Sequence, residues 1–185
     1  MIRLLKLLKW DLQVKESRFH YYFWLVRNLP GQFGMDIRSR FLKGYLHSVG
    51  LNLSVHEGVR VRNIDRLVCG DNVVIGVNNF LQAAGWIILG NCVLLGPDVK
   101  IWSSNHVYKD PEIPVIKQGY EEKKVIIGNN VWIGGNCFIM PGTEIGDGCI
   151  VSAGSVVGRK VIPPNSILAG NPARKIGNRK KEGIE

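Results

Sequence analysis

The stretch that decides the fold is "IGNNVWIGGNCFIMPGTEIGDGCIVSAGSVV", residues 127–157. An aliphatic side chain recurs at every sixth position, and a small or β-branched residue lies four positions after each of the first five. Neither the alternation of one long strand nor the period of a helix produces this pattern. A period of six instead predicts short strands joined by tight turns, with one inward side chain per strand and residues tolerant of φ > 0 at the bends. The aliphatic positions are Ile127, Ile133, Ile139, Ile145, Val151 and Val157, and the small or β-branched ones are Val131, Cys137, Thr143, Cys149 and Ser155.

The same spacing continues upstream with one slip of two residues. Three such strands form a triangular coil, and stacked coils share one apolar core. The alternative is a β-sandwich whose regular turns imitate a repeat, but strict spacing over five hexads disfavours it. We therefore predict a mainly β chain, a parallel β-helix over residues 51–176. The upstream positions are Cys69, Ile75, Leu81 and Ile87, then Leu89, Leu95 and Ile101.

With this repeat the sequence resembles the hexapeptide-repeat acyltransferases, from about Val59 to Ile176. The resemblance implies a left-handed parallel β-helix and a homotrimer with active sites at subunit interfaces. It also implies acetyl-CoA as the donor substrate. The repeat alone indicates function less tightly than fold, because γ-class carbonic anhydrases share it.

The repeat is interrupted between Ile101 and Ile127 by "WSSNHVYKDPEIPVIKQGYEEKKVI". Because the hexads resume afterwards, we predict a functional loop at residues 102–126 that is extruded from the coil. His106 lies near its start, directly after a strand. A histidine in a polar loop is by composition an exposed side chain. The segment "SSNHVYKD", however, is similar to the loop of bacterial sugar O-acetyltransferases, and this resemblance implies that His106 is the general base.

A single histidine is sufficient to catalyse acetyl transfer from a thioester to a hydroxyl. An acetyl thioester is already activated, so the reaction needs only a base that removes the proton from the attacking hydroxyl. An imidazole, with an unperturbed pKa of about 6.5, suits that task near neutral pH. A backbone N–H group can stabilise the oxyanion. We expect direct transfer without an acyl-enzyme, and we interpret Cys137 and Cys149 as inward-facing core residues rather than nucleophiles.

Metal and disulfide sites are not expected from the side-chain inventory. The four cysteines form no CxxC pair, and we interpret all of them as small buried side chains in a reducing compartment. The four histidines are widely separated and have no ligand spacing, so we predict no metal, which disfavours carbonic anhydrase. These residues are Cys69, Cys92, Cys137 and Cys149, with His20, His47, His56 and His106.

The acceptor contacts depart from the family pattern. The resemblance implies an asparagine and an acidic residue on the coil before the histidine, where this chain has "GVNNFLQAAGW". Asn78 or Asn79 matches the asparagine, but alanines stand where the acidic residue is expected. Candidate substitutes in the loop, each of which is otherwise an ordinary solvated residue, are Asn105, Asp110, Glu112 and Tyr120.

The donor site is predicted from the C-terminal hexads and from "PPNSILAGNPARKI", which resembles the segment that closes the family's helix beside acetyl-CoA. The resemblance implies that small residues line the pantetheine channel, although ordinary wall residues would look the same. Trp132 would pack near the thioester or between subunits. The channel candidates are Gly135, Ala153 and Ala169, and the candidates for binding the coenzyme A phosphates are Arg159, Lys160, Arg174 and Lys175.

The basic charge of +9 is concentrated at the two ends of the chain. Residues 1–50 carry nine Lys/Arg against three Asp/Glu, and residues 159–185 carry seven against two, so the remainder has a net charge of −2. This distribution disfavours a nucleic-acid groove along the body of the protein. Residues 1–50 indicate amphipathic helices that either cap the β-helix or contact an anionic membrane. Residues 177–185 are predicted to be a basic tail.

Together these observations predict an O-acetyltransferase that moves acetyl from acetyl-CoA to a saccharide hydroxyl, in a surface polysaccharide or its precursor. A serine or amino-sugar N-acetyltransferase remains an alternative, since an amine acceptor would also use a histidine. A second alternative is a non-enzymatic β-helix that binds a partner. The N-terminus lacks a secretion signal, so we expect a cytoplasmic protein, either free or at the inner face of the membrane.

Overall fold

Three helices precede a parallel β-helix in the computed structural model, which describes residues 2–179 of the chain. Each helix is 12 or 13 residues long. None of the helices among these residues is long and apolar enough to cross a membrane. The helices are α1 (Ile2–Gln13), α2 (Lys15–Val26) and α3 (Gly31–Lys43).

The β-helix is built from short strands, three to a complete coil. The first three coils contain β1 (Ser48–Val49), β2 (Ser54–Val55), β3 (Arg60–Arg62), β4 (Leu67–Cys69), β5 (Val74–Ile75), β6 (Phe80–Gln82), β7 (Ile87–Leu89), β8 (Leu94–Leu95) and β9 (Lys100–Trp102). A hairpin follows, formed by β10 (Ser104–His106) and β11 (Tyr120–Glu122). The later coils contain β12 (Val125–Ile127), β13 (Trp132–Ile133), β14 (Phe138–Ile139), β15 (Glu144–Ile145), β16 (Ile150–Val151), β17 (Val156–Val157), β18 (Val161–Ile162), β19 (Ser166–Gly170) and β20 (Ala173–Asn178).

Three parallel sheets form the three walls of the β-helix, which confirms the predicted architecture. We call them sheet A (β1, β4, β7, β12, β15, β18), sheet B (β2, β5, β8, β13, β16, β19, β20) and sheet C (β3, β6, β9, β14, β17). Within these three sheets the described strands pair in parallel, except that β20 runs antiparallel beside β19.

The inward hexad side chains form the core. Every aliphatic position of the repeat is buried, and so are the small positions, including Thr143 and Ser155. The two-residue slip has a simple cause: β7 buries both Ile87 and Leu89, whereas most strands bury one side chain. Residues of positive φ occupy the bends, as the sequence predicts. On the bend between sheets A and B these are Asn52, Asn72, Cys92, Asn130, Gly148 and Asn165.

Two of the helices close the N-terminal end of the β-helix. Phe19 and Phe23 of α2 and Leu42 of α3 are buried in the same core as the first coil. The buried Arg38 of α3 ties the helices to that coil, because its Nε donates to the Val55 carbonyl over 3.1 Å and its Nη1 donates to the Leu29 carbonyl. Burial lowers the pKa of this guanidinium, while Glu57 raises it.

Several predicted boundaries need correction. The β-helix begins at Ser48 rather than at residue 51, because β1 pairs with β4. The extruded loop is shorter than 102–126: Trp102 ends a coil strand, and Val125 begins the next one. The basic tail cannot start at residue 177, since β20 extends to Asn178; residues 180–185 of that tail lie outside the described chain. Cys92 is exposed at a bend and is not a core residue.

Candidate active site

The predicted extrusion is an antiparallel hairpin at the bend between sheets C and A. Its strands β10 and β11 pair Ser104 with Glu122, Asn105 with Glu121, and His106 with Tyr120. The tip that joins them contains one 3-10 helical turn, Val115–Lys117. His106 therefore lies on a regular hairpin strand, only four residues after the end of the coil strand β9.

Three hydrogen bonds anchor this hairpin to the coil below it, and a fourth closes its base. The Ser103 hydroxyl accepts the Gly85 N–H over 2.9 Å and donates to the Gln82 carbonyl over 2.8 Å. The Ser103 carbonyl accepts the Lys123 N–H over 2.7 Å, and Arg66 donates to the Glu122 carboxylate over 3.2 Å. Because both ends of the hairpin are tied to the rigid β-helix, the position of His106 is fixed relative to the coils.

The orientation of His106 is set mainly by its cross-strand neighbour. The imidazole and the Tyr120 ring have centroids 4.4 Å apart and are tilted by 37°. The His106 backbone N–H donates to Asn105 Oδ1 over 3.0 Å. None of the ion pairs within residues 2–179 involves His106. The exposed imidazole is thus oriented by packing and leaves its nitrogens open to a ligand.

A cleft of about 250 Å³ opens in front of His106. Two polar atoms in its wall, Gln82 Oε1 and Trp102 Nε1, are buried without a hydrogen-bond partner. Buried polar groups are nearly always paired, so these two atoms indicate a ligand with hydroxyl or similar groups. The lining residues are Arg62, Phe80, Gln82, Trp102, Ser104, Asn105, His106 and Tyr120.

This cleft contains two of the predicted acceptor contacts, Asn105 and Tyr120, but not the others. Asn79 is a correction: it is fully buried, and its Oδ1 accepts the Val99 N–H over 2.7 Å. Asn78 is a bend residue with a φ of 59°, at the opposite edge of sheet C from the hairpin. Asp110 binds the Glu112 N–H and Gln118 within the hairpin tip, where Glu112 is exposed.

Sequence reasoning missed Gln82, Trp102 and Arg62 as cleft residues. They face outward at equivalent positions of β3, β6 and β9, because Arg62 pairs with Gln82 and Gln82 pairs with Trp102. The available signal was their position after the inward residues Val61, Leu81 and Ile101.

The predicted donor residues share the other edge of sheet C, at the bend from sheet B. Gly135 and Ala153 are stacked there in successive coils, and the Gly154 N–H donates to the Gly135 carbonyl over 2.9 Å. The coils approach closely at this bend: a Cβ on Gly134 would lie 2.6 Å from the Ala153 N. Ala169 belongs to β19, and the neighbouring Gly170 N–H donates to Ser155 Oγ over 3.1 Å. We call Gly135, Ala153 and Ala169 together the donor edge, although the strand register places Gly170 rather than Ala169 level with Ala153.

Two of the four predicted phosphate-binding cations meet at the C-terminal hairpin. Lys160 Nζ donates to the Ala173 carbonyl over 2.7 Å, and Arg174 Nη1 donates to the same carbonyl over 3.3 Å. Lys175 is exposed on β20, and Arg159 is exposed beside Gly142. Trp132 is half-exposed on the outer face of sheet B, where a cavity of about 350 Å³ adjoins it.

The buried cysteines are unsuited to nucleophilic attack. Burial raises the pKa of the Cys69 thiol to about 12, and it also raises the pKa of Cys137 and of Cys149. Their thiols donate to carbonyls, Cys137 to Ser152 and Cys149 to Pro163. A buried thiol that stays protonated is a core residue.

The sequence of this chain is similar to those of known hexapeptide-repeat proteins. Residues 124–159 match the bacterial transferase hexapeptide family of six repeats. The chain is 34% identical over 136 residues to an Escherichia coli K12 protein named as the lipopolysaccharide biosynthesis O-acetyl transferase WbbJ, covering 69% of each protein. It is also 33% identical to the galactoside O-acetyltransferase of the same organism, over 77% of this chain and 68% of that one. The chain belongs to the hexapeptide-repeat acyltransferase family.

Solved structures of relatives extend this assignment. The hexapeptide-repeat chain superposes on a maltose O-acetyltransferase from Clostridium difficile 630 with a TM-score of 0.80 at 29% identity, covering 90% of this chain and 87% of that one. A galactoside acetyltransferase in complex with coenzyme A gives a TM-score of 0.73 at 28% identity, covering 95% and 90%. The predictions of fold, of an acyltransferase and of acetyl-CoA as co-substrate are confirmed. Among residues 2–179, no group of three or more His, Cys, Asp or Glu is placed to hold a metal ion.

Proposed function

We propose that this acyltransferase moves the acetyl group of acetyl-CoA to a hydroxyl of a saccharide, with His106 as the general base. The observation that carries the proposal is the placement of His106, on an anchored hairpin over an open cleft with unpartnered polar atoms. Aromatic side chains of Phe80, Trp102 and Tyr120 line the same cleft and offer apolar faces to a sugar ring. The named activity of WbbJ supports a surface polysaccharide or its precursor as the acceptor.

In the proposed reaction His106 takes the proton of the acceptor hydroxyl as the oxygen attacks the thioester carbonyl. The tetrahedral intermediate then collapses and expels the thiolate of coenzyme A. The imidazolium returns its proton to this sulfur, so the products are an acetate ester and free coenzyme A, and the enzyme is regenerated. One residue thus acts first as base and then as acid. The buried cysteines take no part.

The geometry of one chain supports an active site shared between two copies. The hairpin with His106 leaves sheet C at its edge toward sheet A, whereas the donor edge lies at the bend from sheet B. The two edges are about six residues apart, which corresponds to about 20 Å of extended chain. We propose that a thioester at the donor edge of one chain meets His106 of a neighbouring copy rather than His106 of its own chain. We therefore include the homotrimer in the proposal, with each site formed between two subunits.

The function is tested by following thiol release from acetyl-CoA with a panel of acceptors. The panel contains neutral hexosides, nucleotide sugars, lipid-linked sugars, serine and amino sugars, and mass spectrometry with NMR locates the acetyl group. We expect an O-acetylated sugar. Transfer only to the serine hydroxyl would overturn the saccharide acceptor, transfer only to an amine would overturn the O-acetyltransferase assignment, and no transfer to any acceptor would overturn the proposed function.

The exposed side of α1 supports contact with an anionic membrane surface. Leu4 and Leu5 are 71% and 61% exposed, and Trp10 is 61% exposed. Lys6 and Lys9 lie among them. Apolar side chains interspersed with cations are typical of helices that lie in the headgroup region. Bound in this way, the protein would meet saccharide precursors at the inner face of the membrane.

Vesicle sedimentation tests this contact. We expect the full chain to sediment with vesicles that contain phosphatidylglycerol, and Leu4→Gln with Leu5→Gln to weaken that binding about tenfold, because two apolar side chains no longer insert. Leu51→Gln is the matched control, since Leu51 is 70% exposed but lies on the β-helix. Equal sedimentation of all three proteins, or none, would contradict a membrane role for α1.

A further inference from the structure

A second cavity adjoins the acceptor cleft and continues it toward the helices. It measures about 320 Å³ and lies between α2 and sheet C. Arg62 and Phe80 line both spaces, so the two cavities are neighbours between His106 and α2. We call the second cavity the arginine pocket. Its lining residues are His20, Phe23, Trp24, Arg27, Val59, Arg60, Val61, Arg62 and Phe80.

The arginine pocket holds three guanidinium groups and no carboxylate. Arg27, Arg60 and Arg62 take part in none of the ion pairs formed within the described part of the chain. Arg27 Nε is buried and has no hydrogen-bond partner. The Arg60 guanidinium lies 5.5 Å from the centre of the Phe80 ring, which is within cation–π range. Arg60 and Arg62 are exposed on β3 and Arg27 contributes the buried donor, so the pocket presents three cations to which an anion could bind, and that anion would pair the orphaned donor.

The spacing along sheet C relates this pocket to the reaction centre. Arg62 pairs with Gln82, which pairs with Trp102, so Arg62 lies two strands from Trp102. Two strand spacings amount to about 10 Å. This separation suits a sugar ring in the cleft whose phosphate group extends into the pocket.

We propose that the acceptor is a sugar phosphate ester, most simply a glycosyl diphosphate, whose phosphates bind Arg27, Arg60 and Arg62 while its hydroxyl meets His106. Arginine forms bidentate hydrogen bonds with phosphate, and its guanidinium stays charged at any physiological pH. The cleft also lacks the acidic residue that the family resemblance predicts, and a carboxylate there would repel such an acceptor. This inference rests on the proposed function and narrows its substrate class.

Glycosyl diphosphates have two cellular sources, nucleotides and polyprenyl lipids. Both would place the same diphosphate between the three arginines. The far end of the pocket, at His20 and Trp24 of α2, would then face a nucleobase or a prenyl chain. The experiment therefore includes one acceptor of each kind.

The test compares kcat/KM for one hexose presented as the free methyl glycoside, the 1-phosphate, the nucleoside diphosphate and a short-chain polyprenyl diphosphate. We expect at least one phosphorylated form to exceed the glycoside by about tenfold or more, which is the contribution of one good charge-assisted contact. Arg27→Gln with Arg60→Gln should lower that ratio about tenfold. Arg40→Gln is the matched control, because Arg40 is an exposed arginine paired with Asp36 on α3; it should leave the ratio unchanged.

Binding of inorganic pyrophosphate, measured by calorimetry, provides a readout that is independent of turnover. We expect binding to the wild type and to Arg40→Gln, and about tenfold weaker binding to the double variant. If pyrophosphate binds in this way but no sugar is acetylated, the pocket stands and the proposed function fails. Equal kcat/KM for the glycoside and all phosphorylated forms, or pyrophosphate affinity unaffected by the double substitution, would overturn the pocket while leaving the proposed function intact.

Discussion

His106→Ala lowers kcat/KM for acetyl transfer by about 10² to 10⁴, the usual contribution of a general base. The loss falls on kcat more than on KM, because the imidazole acts as the proton moves and contributes little to holding the ground state. The fold should be unchanged, since His106 is exposed on the hairpin and contacts mainly Tyr120. Initial rates of thiol release and thermal unfolding measure the two properties.

Two controls separate a base from a merely structural residue. His56→Ala removes an imidazole from a coil position outside the cleft, and its rate should match the wild type. Added imidazole should restore part of the activity of His106→Ala, because a small base can enter the open cleft. A rate for His106→Ala within a few-fold of the wild type would refute the catalytic role. A variant that has lost its fold and whose activity imidazole does not restore would also refute it.

A large side chain at the donor edge should exclude acetyl-CoA. Ala153 is exposed beside Gly134 and one coil from Gly135, so Ala153→Trp would fill the space in which the pantetheine arm is proposed to lie. We expect kcat/KM for acetyl-CoA to fall about 10-fold to 100-fold, the range that steric overpacking of 1–3 kcal/mol produces. The effect should appear in KM for acetyl-CoA, with the acceptor KM little changed.

Val161→Trp is the matched control for this substitution. Val161 is strongly exposed on β18 of sheet A, away from the donor edge, and the same bulk there should leave KM for acetyl-CoA unchanged. A normal KM for acetyl-CoA in Ala153→Trp would place the donor elsewhere. The half-exposed Trp132 on sheet B, next to its own cavity, would then be the next place to examine.

The repeat could be predicted from sequence because the residue type at each hexad position indicates whether that side chain is buried. Ile127, Ile133 and Ile139 lie six positions apart, on successive strands of the coil, and all three are buried. The bends were predictable for the same local reason, since Asn and Gly tolerate positive φ. Cys92 shows the limit of this reasoning: its apolar character suggested burial, yet it occupies a bend with a φ of 56°.

The cleft could be predicted only in part, because it is assembled from neighbouring coils. His106 was found from the break in the hexads. Gln82 and Trp102 were missed, since their shared position depends on the register between β6 and β9, which lie 20 residues apart. Asn79 was misassigned because alternation along one strand decides which of two adjacent asparagines faces inward, and the inward one binds the Val99 N–H. The three arginines likewise come from the residue that follows α2 and from β3, and no local pattern links them.

The measurement that tests the account most directly combines these two impaired variants at an acetyl-CoA concentration below the wild-type KM. If His106 of one subunit acts on acetyl-CoA held at the donor edge of its neighbour, His106→Ala and Ala153→Trp damage different halves of the same site. The two variants are dissociated, mixed in equal amounts and reassembled. The mixed oligomers should recover about one quarter of wild-type activity. Half of the sites then have an intact base, and half of those sites also have an intact donor edge. Activity that stays at the level of the separate variants, with mixed oligomers verified by mass, would contradict a site shared between subunits.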